Sequence, residues 1–524
     1  MSFNSSAFLF VFLPACLLGF FSLARWNRGW AKIYLLLSSF VFYDWSSIQF
    51  VSLLVGSIVI NYYVGNLIQA HVARGDAAKV GALCSFGILA NLALLFYFKY
   101  MNFFLDTLDI AIGAKYNTGH IILPLGISFY SFQRIAYLID CARGDVRKSS
   151  FLNFSLFAVF FPQLISGPIT LYNEIAPQFE KQRFFPGARY NLMVGIVIFA
   201  IGLFKKTVIA DNVAYISDPL FDAASRGTAP DILSAWFAAL SYTAQLYFDF
   251  SGYSDMAIGV ARMFGILLPL NFHSPLRAAN IMDYWRRWHM TLTRFMLNYL
   301  YLPLSLVIGR YAFGGSLGTW QTYMVTVAAP VFLTFLLVGI WHGAGWTFVV
   351  FGLMHATYVS TSQAWREFRK RRRRLLKVSN TNSRSNVLGQ IFAHALTIVC
   401  VILGNIMFRS DHVATAGLIY KGMLALTRSA GPALPEVTKP ESVFFIALGW
   451  FIIAVMPNTQ QIMRAYHPAV NWRQWEDVAP SPITLQWRPN AIGLASIGML
   501  IAIVITATLI GMNREPGQFI YFQF

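Results

Sequence analysis

The chain has 524 residues, 57% of them hydrophobic and only 12% charged. A soluble domain carries about twice that charged fraction, so the length divides into membrane spans rather than soluble domains. The formal net charge of +18 does not indicate nucleic acid, because the basic residues gather in short stretches between apolar runs, where the positive-inside rule accounts for them.

Residues 7–23 lack a basic leader and a clear small-residue cleavage site, so they read as a first transmembrane helix and not a signal peptide. Further apolar runs fall near 31–50, 51–68, 80–98, 119–139, 150–171, 190–209, 232–250, 323–341, 344–362, 388–408, 441–456 and 491–512. Several are short or interrupted by glycine and proline. Those are expected to be re-entrant or tilted, which leaves about 11 true spans. Within 150–171, the stretch Phe160 to Ile169 holds Pro162, Gly167 and Pro168. It reads as a broken helix whose freed carbonyls line a cavity, or as a simple proline kink. Cys16, Cys84, Cys141 and Cys400 are scattered, with no C-x-x-C pair. They are expected to be reduced packing residues that form neither a disulfide nor a zinc site.

Orientation follows from lysine and arginine. Arg366 to Lys377 carries eight basic residues against one acidic, so residues 366–387 are expected to form a basic cytoplasmic loop. Contact with anionic headgroups or an anionic donor is the sharper reading of that run. Arg25, Arg28 and Lys32 belong on the same side, as do Arg143, Arg147 and Lys148, which places the N-terminus outside. Ser379 to Asn386 is polar and expected to be flexible. Residues 273–322 mix arginines with aromatics, and are expected to lie at the interface as amphipathic helices.

Polar residues inside apolar runs mark candidate function. His342 stands in Gly339-Ile340-Trp341-His342-Gly343-Ala344-Gly345-Trp346, among small residues that let a substrate or another helix approach. Imidazole is the side chain most used for proton transfer near neutral pH. Asp249 and Asp255 lie in Leu246 to Met256 on different faces of an ideal helix, so a carboxylate dyad is not favoured. Gly252 between them is expected to break the helix, and the acids to pair with arginines of 277–294 or to cap the break. The ligand count is too low for calcium, and no metal is expected. Gly252 to Met256 is not G-x-S-x-G, and neither a Walker A nor a G-x-G-x-x-G sequence occurs, so ATP and dinucleotides are not indicated. His273 and His355 stand alone and read as structural.

Ordered motifs then carry a resemblance: Phe161 to Pro168, Leu246 to Gly259, Asn271-Phe272, Trp285-Arg286-Arg287-Trp288-His289, Tyr299 to Leu304, Gly339 to Ala344 and the C-terminal Phe519 to Phe524. Together they resemble the membrane-bound O-acyltransferase superfamily, most of all its bacterial alginate O-acetyltransferase-like branch. The resemblance implies an all-α polytopic membrane protein, with a ring of about 11 transmembrane helices and re-entrant and interfacial helices around a central funnel. Residues 1–524 would form one integral membrane domain, with core motifs about 120–365 and C-terminal helices over 388–524.

It also implies an enzyme of the bacterial inner (cytoplasmic) membrane, with His342 as the catalytic histidine and His289 as the second. No cofactor is expected to be bound. Acetyl-CoA or another acyl thioester would be the cytoplasmic donor, and a polysaccharide such as alginate, cellulose or another exopolysaccharide the final acceptor, reached through a periplasmic acetyltransferase partner of the SGNH-hydrolase type. In this reading His342 is a general base, Trp341 and Trp346 wall the site against water, and Arg286 and Arg287, flanked by Trp285 and Trp288, meet donor phosphates. Asp249 and Asp255 count with these as candidate substrate- or donor-binding residues, beside their reading as scaffold. Alternatives remain: a proton-coupled transporter or flippase of a lipid or acyl carrier, peptidoglycan O-acetylation, and a non-catalytic scaffold of a polysaccharide export complex.

Overall fold

In lipid, a backbone must satisfy its own hydrogen bonds, and a chain of apolar runs does so by forming helices. The computed structural model describes residues 1–113, 121–146, 150–180, 187–312, 319–375, 387–426 and 439–511, and these are helical with no strand. Seven helices among them are long and apolar enough to cross a membrane: Phe8–Trp26, Ile48–Ala73, Ala77–Ile112, Ala188–Ser225, Met290–Arg310, Trp320–His342 and Val387–Arg409. Pro440–Val455 and Ala491–Ala507 are shorter apolar helices. The 20-residue Arg28–Ser47, the 32-residue Ile232–Met263 and the 30-residue Trp346–Leu375 are as long but carry more polar residues. Arg147, Lys148, Ser379 to Asn386 and Phe519 to Phe524 lie outside the described residues.

Three local expectations change. Gly252 does not break its helix, since Ile232–Met263 runs through it unbroken. The reason is close packing. A Cβ on Gly252 would lie 2.8 Å from the Gly202 carbonyl oxygen, and one on Gly202 would lie 2.7 Å from that of Gly252. Gly195 and Gly259 form a second such pair one heptad along. These glycines let the Ala188–Phe204 and Ile232–Met263 helices meet backbone to backbone.

Second, the basic run from Arg366 is helical as far as Leu375, and extends the Trp346–Leu375 helix instead of forming a loop. Third, the 273–322 stretch is only partly interfacial. Short helices at Ile281–Arg287 and Met290–Met296 begin it, but Met290–Arg310 is a continuous helical run of spanning length. Its outward residues Leu306 and Val307 are exposed apolar surface, and Arg294 is neutralised by Glu174 at 2.9 Å. The Phe160–Ile169 stretch breaks as its prolines require, into Phe151–Val159 and the single turn Phe161–Leu164.

The basic clusters share one end of the bundle. Gly144 sits beside Val72, Lys32 Nζ donates to Asn153 at 3.0 Å, and Arg143 donates to the Asn298 carbonyl. The Trp346–Leu375 helix starts beside His342 and runs back along the Ala329–His342 helix, through the close pair Gly339 and Gly352.

Candidate active site

The Ala329–His342 helix ends at His342 because Gly343 is extended. Its last carbonyls therefore need partners from elsewhere. Tyr100 Oη donates to Ile340 O at 3.1 Å, and Lys99 Nζ donates to Trp341 O and, at 3.2 Å, to His342 O. The imidazole of His342 is buried and meets Phe408 edge-on at 5.1 Å and Phe351 at 5.9 Å.

His289 reaches the same place from another element. It caps Met290–Met296 with φ 42, a left-handed conformation that is strained for a residue with a Cβ. Asn271 holds it there: Asn271 Oδ1 lies 3.1 Å from His289 Nδ1, and also accepts from Thr291 Oγ1 at 2.9 Å. Asn271 Nδ2 in turn donates to Ser254 Oγ at 3.0 Å. The assignment with a proton on His289 Nδ1 satisfies this network. The indole of Trp341 touches both imidazoles, with centroids 4.9 Å from His342 and 6.1 Å from His289. Trp341 stacks on Phe132 at 5.4 Å, and Phe132 stacks on Phe295 at 4.4 Å.

Two small clefts meet at this point. One, of about 40 Å³, is lined by Lys99, Gly126, Ser128, Ser166, Trp341 and His342. The other, of about 10 Å³, is lined by Trp285, Trp288, His355, Asn405, Phe408 and His342. His342 lines both. These volumes hold one or a few waters, so a substrate enters only if the walls part.

The other predicted site residues fall into three groups. Trp285 and Trp288 are buried beside the second cleft, where Trp285 Nε1 donates to His355 Nδ1 at 3.1 Å. His355 is thus structural, as expected, but it is also a wall of that cleft. Arg287 is committed to Asp283 at 2.6 Å, whereas Arg286 is exposed with its guanidinium 5.3 Å over the Trp475 ring. Trp346 turns to Phe103, is 59% exposed and lines neither cleft.

Asp249 and Asp255 are scaffold, but with partners other than the arginines. Lys206 Nζ lies 2.6 Å from Asp249 and 2.9 Å from Asp211, and Lys205 Nζ lies 2.6 Å from Asp255. Thr459 and Gln460 complete the shell of Asp255 at 2.6 and 2.7 Å. Among the described residues no group of His, Cys, Asp and Glu is placed to hold a metal.

Lys99, Asn271 as an orienter, Lys205, Lys206 and the buried run Asn458-Thr459-Gln460-Gln461 went unseen in the sequence. Each left a signal: lysines inside apolar runs, and four polar residues after Pro457 at the end of one. Asn458 meets His273, whose Nε2 lies 2.6 Å from Val478 O. Burial pushes the pKa of His273, in the connection after Met263, down to about 4, so it is neutral at neutral pH with its proton on Nε2.

The sequence profile of the membrane-bound O-acyltransferase family matches residues 139–403. The peptidoglycan O-acetyltransferase of Helicobacter pylori is 38% identical over 470 residues, covering 84% of this chain and 82% of that protein. The protein of Azotobacter vinelandii named probable alginate O-acetylase AlgI is 33% identical over 100% of both chains. The teichoic acid D-alanyltransferase of Bacillus subtilis is 28% identical over 58% of this chain and 74% of its own. The chain belongs to the membrane-bound O-acyltransferase family. It is a multi-pass membrane enzyme that transfers acyl groups.

Proposed function

We propose that this enzyme moves an acetyl group from a thioester on the cytoplasmic side to a hydroxyl acceptor, for O-acetylation of a polysaccharide outside the cytoplasmic membrane. The carrying observation is His342, a buried imidazole at the one point where two clefts meet. The names of the Helicobacter and Azotobacter relatives support acetyl as the group and a polysaccharide as the destination.

The acceptor hydroxyl is a poor nucleophile until its proton is removed. His342 takes that proton as the oxygen attacks the thioester carbonyl. The C–S bond then breaks, and the thiolate leaves with the proton returned by the imidazole. Trp341, packed on Phe132, holds the imidazole in a water-poor wall. His289, fixed by Asn271, orients the donor or relays the proton. With acetyl-CoA as donor, the exposed Arg286 is the arginine available for its phosphates. Final placement on the polymer falls to a periplasmic partner of the SGNH-hydrolase type.

The test is the acetyl content of the cell wall and of secreted polysaccharide in wild type, a strain lacking the gene, and His342→Ala at matched membrane abundance. A general base contributes roughly 10²–10⁴-fold, so acetyl should vanish from one polymer in both mutants, and that polymer identifies the acceptor. Full acetylation by His342→Ala would remove the imidazole from the chemistry and bring forward a transporter, whose signature is substrate flux without covalent transfer.

A further inference from the structure

A helix that ends inside a protein leaves its last carbonyls pointing at nothing unless a cap is supplied. The helix bearing His342 has no left-handed cap of its own, since Gly343 has φ −164. The cap comes instead from a segment some 240 residues earlier in the chain. Phe96–Tyr100 forms a π turn at the end of the Ala77–Leu95 helix. Such turns shift side chains out of helical register and occur often at functional sites. This one delivers two neighbours together, Tyr100 to the Ile340 carbonyl and Lys99 to those of Trp341 and His342.

The ammonium has three N–H donors and finds three acceptors, the third being Ser128 Oγ at 3.4 Å. No carboxylate pairs with it among the described residues. Carbonyl and hydroxyl partners accept from the amine but bring no counter-charge, and a protonated amine there complements the negative end of the helix dipole. Lys99 also lines the larger cleft together with His342. An oxyanion formed at the thioester carbon beside His342 would feel that positive charge in a medium with little screening.

We propose that Lys99 is a positioning residue of the acyl-transfer site: it pins the backbone beneath His342 and sets its amine on the wall of the cleft. The inference rests on the reading of His342 as general base. Misplacing a reacting group by about 1 Å costs on the order of 10²-fold in rate, which sets the size of the expected effect.

The experiment uses permeabilised cells that keep the full-length protein, the periplasmic partner and the polymer, with [14C]acetyl-CoA as donor and polymer-bound label as readout. Lys99→Met, Lys99→Arg, Tyr100→Phe and His342→Ala are compared with the abundance and thermal stability of each measured alongside. Lys99→Met should lower the maximal rate by about 10²-fold with little change in KM. Lys99→Arg, which keeps the charge and the donors, should recover much of the loss. Tyr100→Phe, which removes one cap but no charge, should fall only a few-fold. Wild-type rate in Lys99→Met beside a dead His342→Ala overturns the role of Lys99 and leaves the base standing. A deficit in Lys99→Met and Lys99→Arg alike that follows only the amount of folded protein also overturns it, as a purely structural role. Full activity in His342→Ala instead removes the reading beneath the inference.

Discussion

Arg286 and Arg287 are adjacent in the chain and have opposite situations. Arg287 gives its Nη2 and Nε edge to Asp283, at 2.6 and 2.9 Å, while Arg286 lies in the open over Trp475. A fork already closed on a carboxylate is not free for a phosphate. Arg286→Ala is therefore expected to raise the KM for acetyl-CoA several-fold with the maximal rate unchanged, the pattern of lost uniform binding. Arg287→Ala should act on stability instead, by leaving Asp283 alone. Steady-state kinetics on both variants separate the two, and equal KM values would end the donor assignment. At this scale the sequence was legible where chemistry is conspicuous. His342 and His289 declared themselves as imidazoles in apolar company. Arg286 and Arg287 read alike, because nothing in Trp285-Arg286-Arg287-Trp288 shows that only one of them has Asp283 a helical turn behind it in bonding geometry.

Between elements, the Ala188–Phe204 and Ile232–Met263 helices are joined by glycine contacts and by two ion pairs. Gly252 reads as a helix break because glycine marks breaks and close approaches equally. What distinguishes them is a partner, here Gly202, on another helix. The lysines that answer Asp249 and Asp255 lie 43 and 50 residues earlier, on the π turn Lys205–Ala210, and no local pattern announces such a pairing. By contrast the interruption after Val159 was legible as a break or a kink, since prolines act within their own turn. Removing one member of a buried ion pair typically costs 3–5 kcal/mol, whereas replacing both by apolar groups is often neutral. Asp255→Leu should accordingly lower the melting temperature of the detergent-solubilised protein, and the double variant Lys205→Met/Asp255→Leu should regain most of the loss. A double variant no better than the single would mean that Thr459 and Gln460, not Lys205, dominate the site.

Over the whole molecule, the basic residues at 25–32, 74–79, 143 and 366–374 mark one end of the bundle, and Ile112, at the far end of the Ala77–Ile112 helix from Lys79, belongs to the other. The positive-inside rule puts the basic end in the cytoplasm. With the four native cysteines replaced, Lys370→Cys should react with a membrane-impermeant maleimide only in inverted vesicles, and Ile112→Cys only in intact spheroplasts. The reverse pattern would invert the topology and with it the side on which the donor binds. The positions of most apolar runs were readable from hydropathy along the chain, although seven helices among the described residues, and not about 11, are long and apolar enough to span. The helical course of 366–375 and the spanning length of 290–310 were not, because charge was taken as a sign of loop or interface, and both helices place their arginines where water or a carboxylate can meet them.

The bond between Lys99 and the carbonyls of Trp341 and His342 also has a timetable. Bacterial synthesis adds about 5–20 residues each second, so Lys99 leaves the ribosome roughly 10–50 s before its acceptors exist. Through that interval the nascent helix carries a bare ammonium, which insertion scales charge at about 2.5–3.5 kcal/mol at mid-bilayer. The long apolar run from Ala77 must tolerate it, or the segment must wait beside the insertion machinery until the second half of the chain arrives. Completion of the site in this sense waits on the second half of the chain.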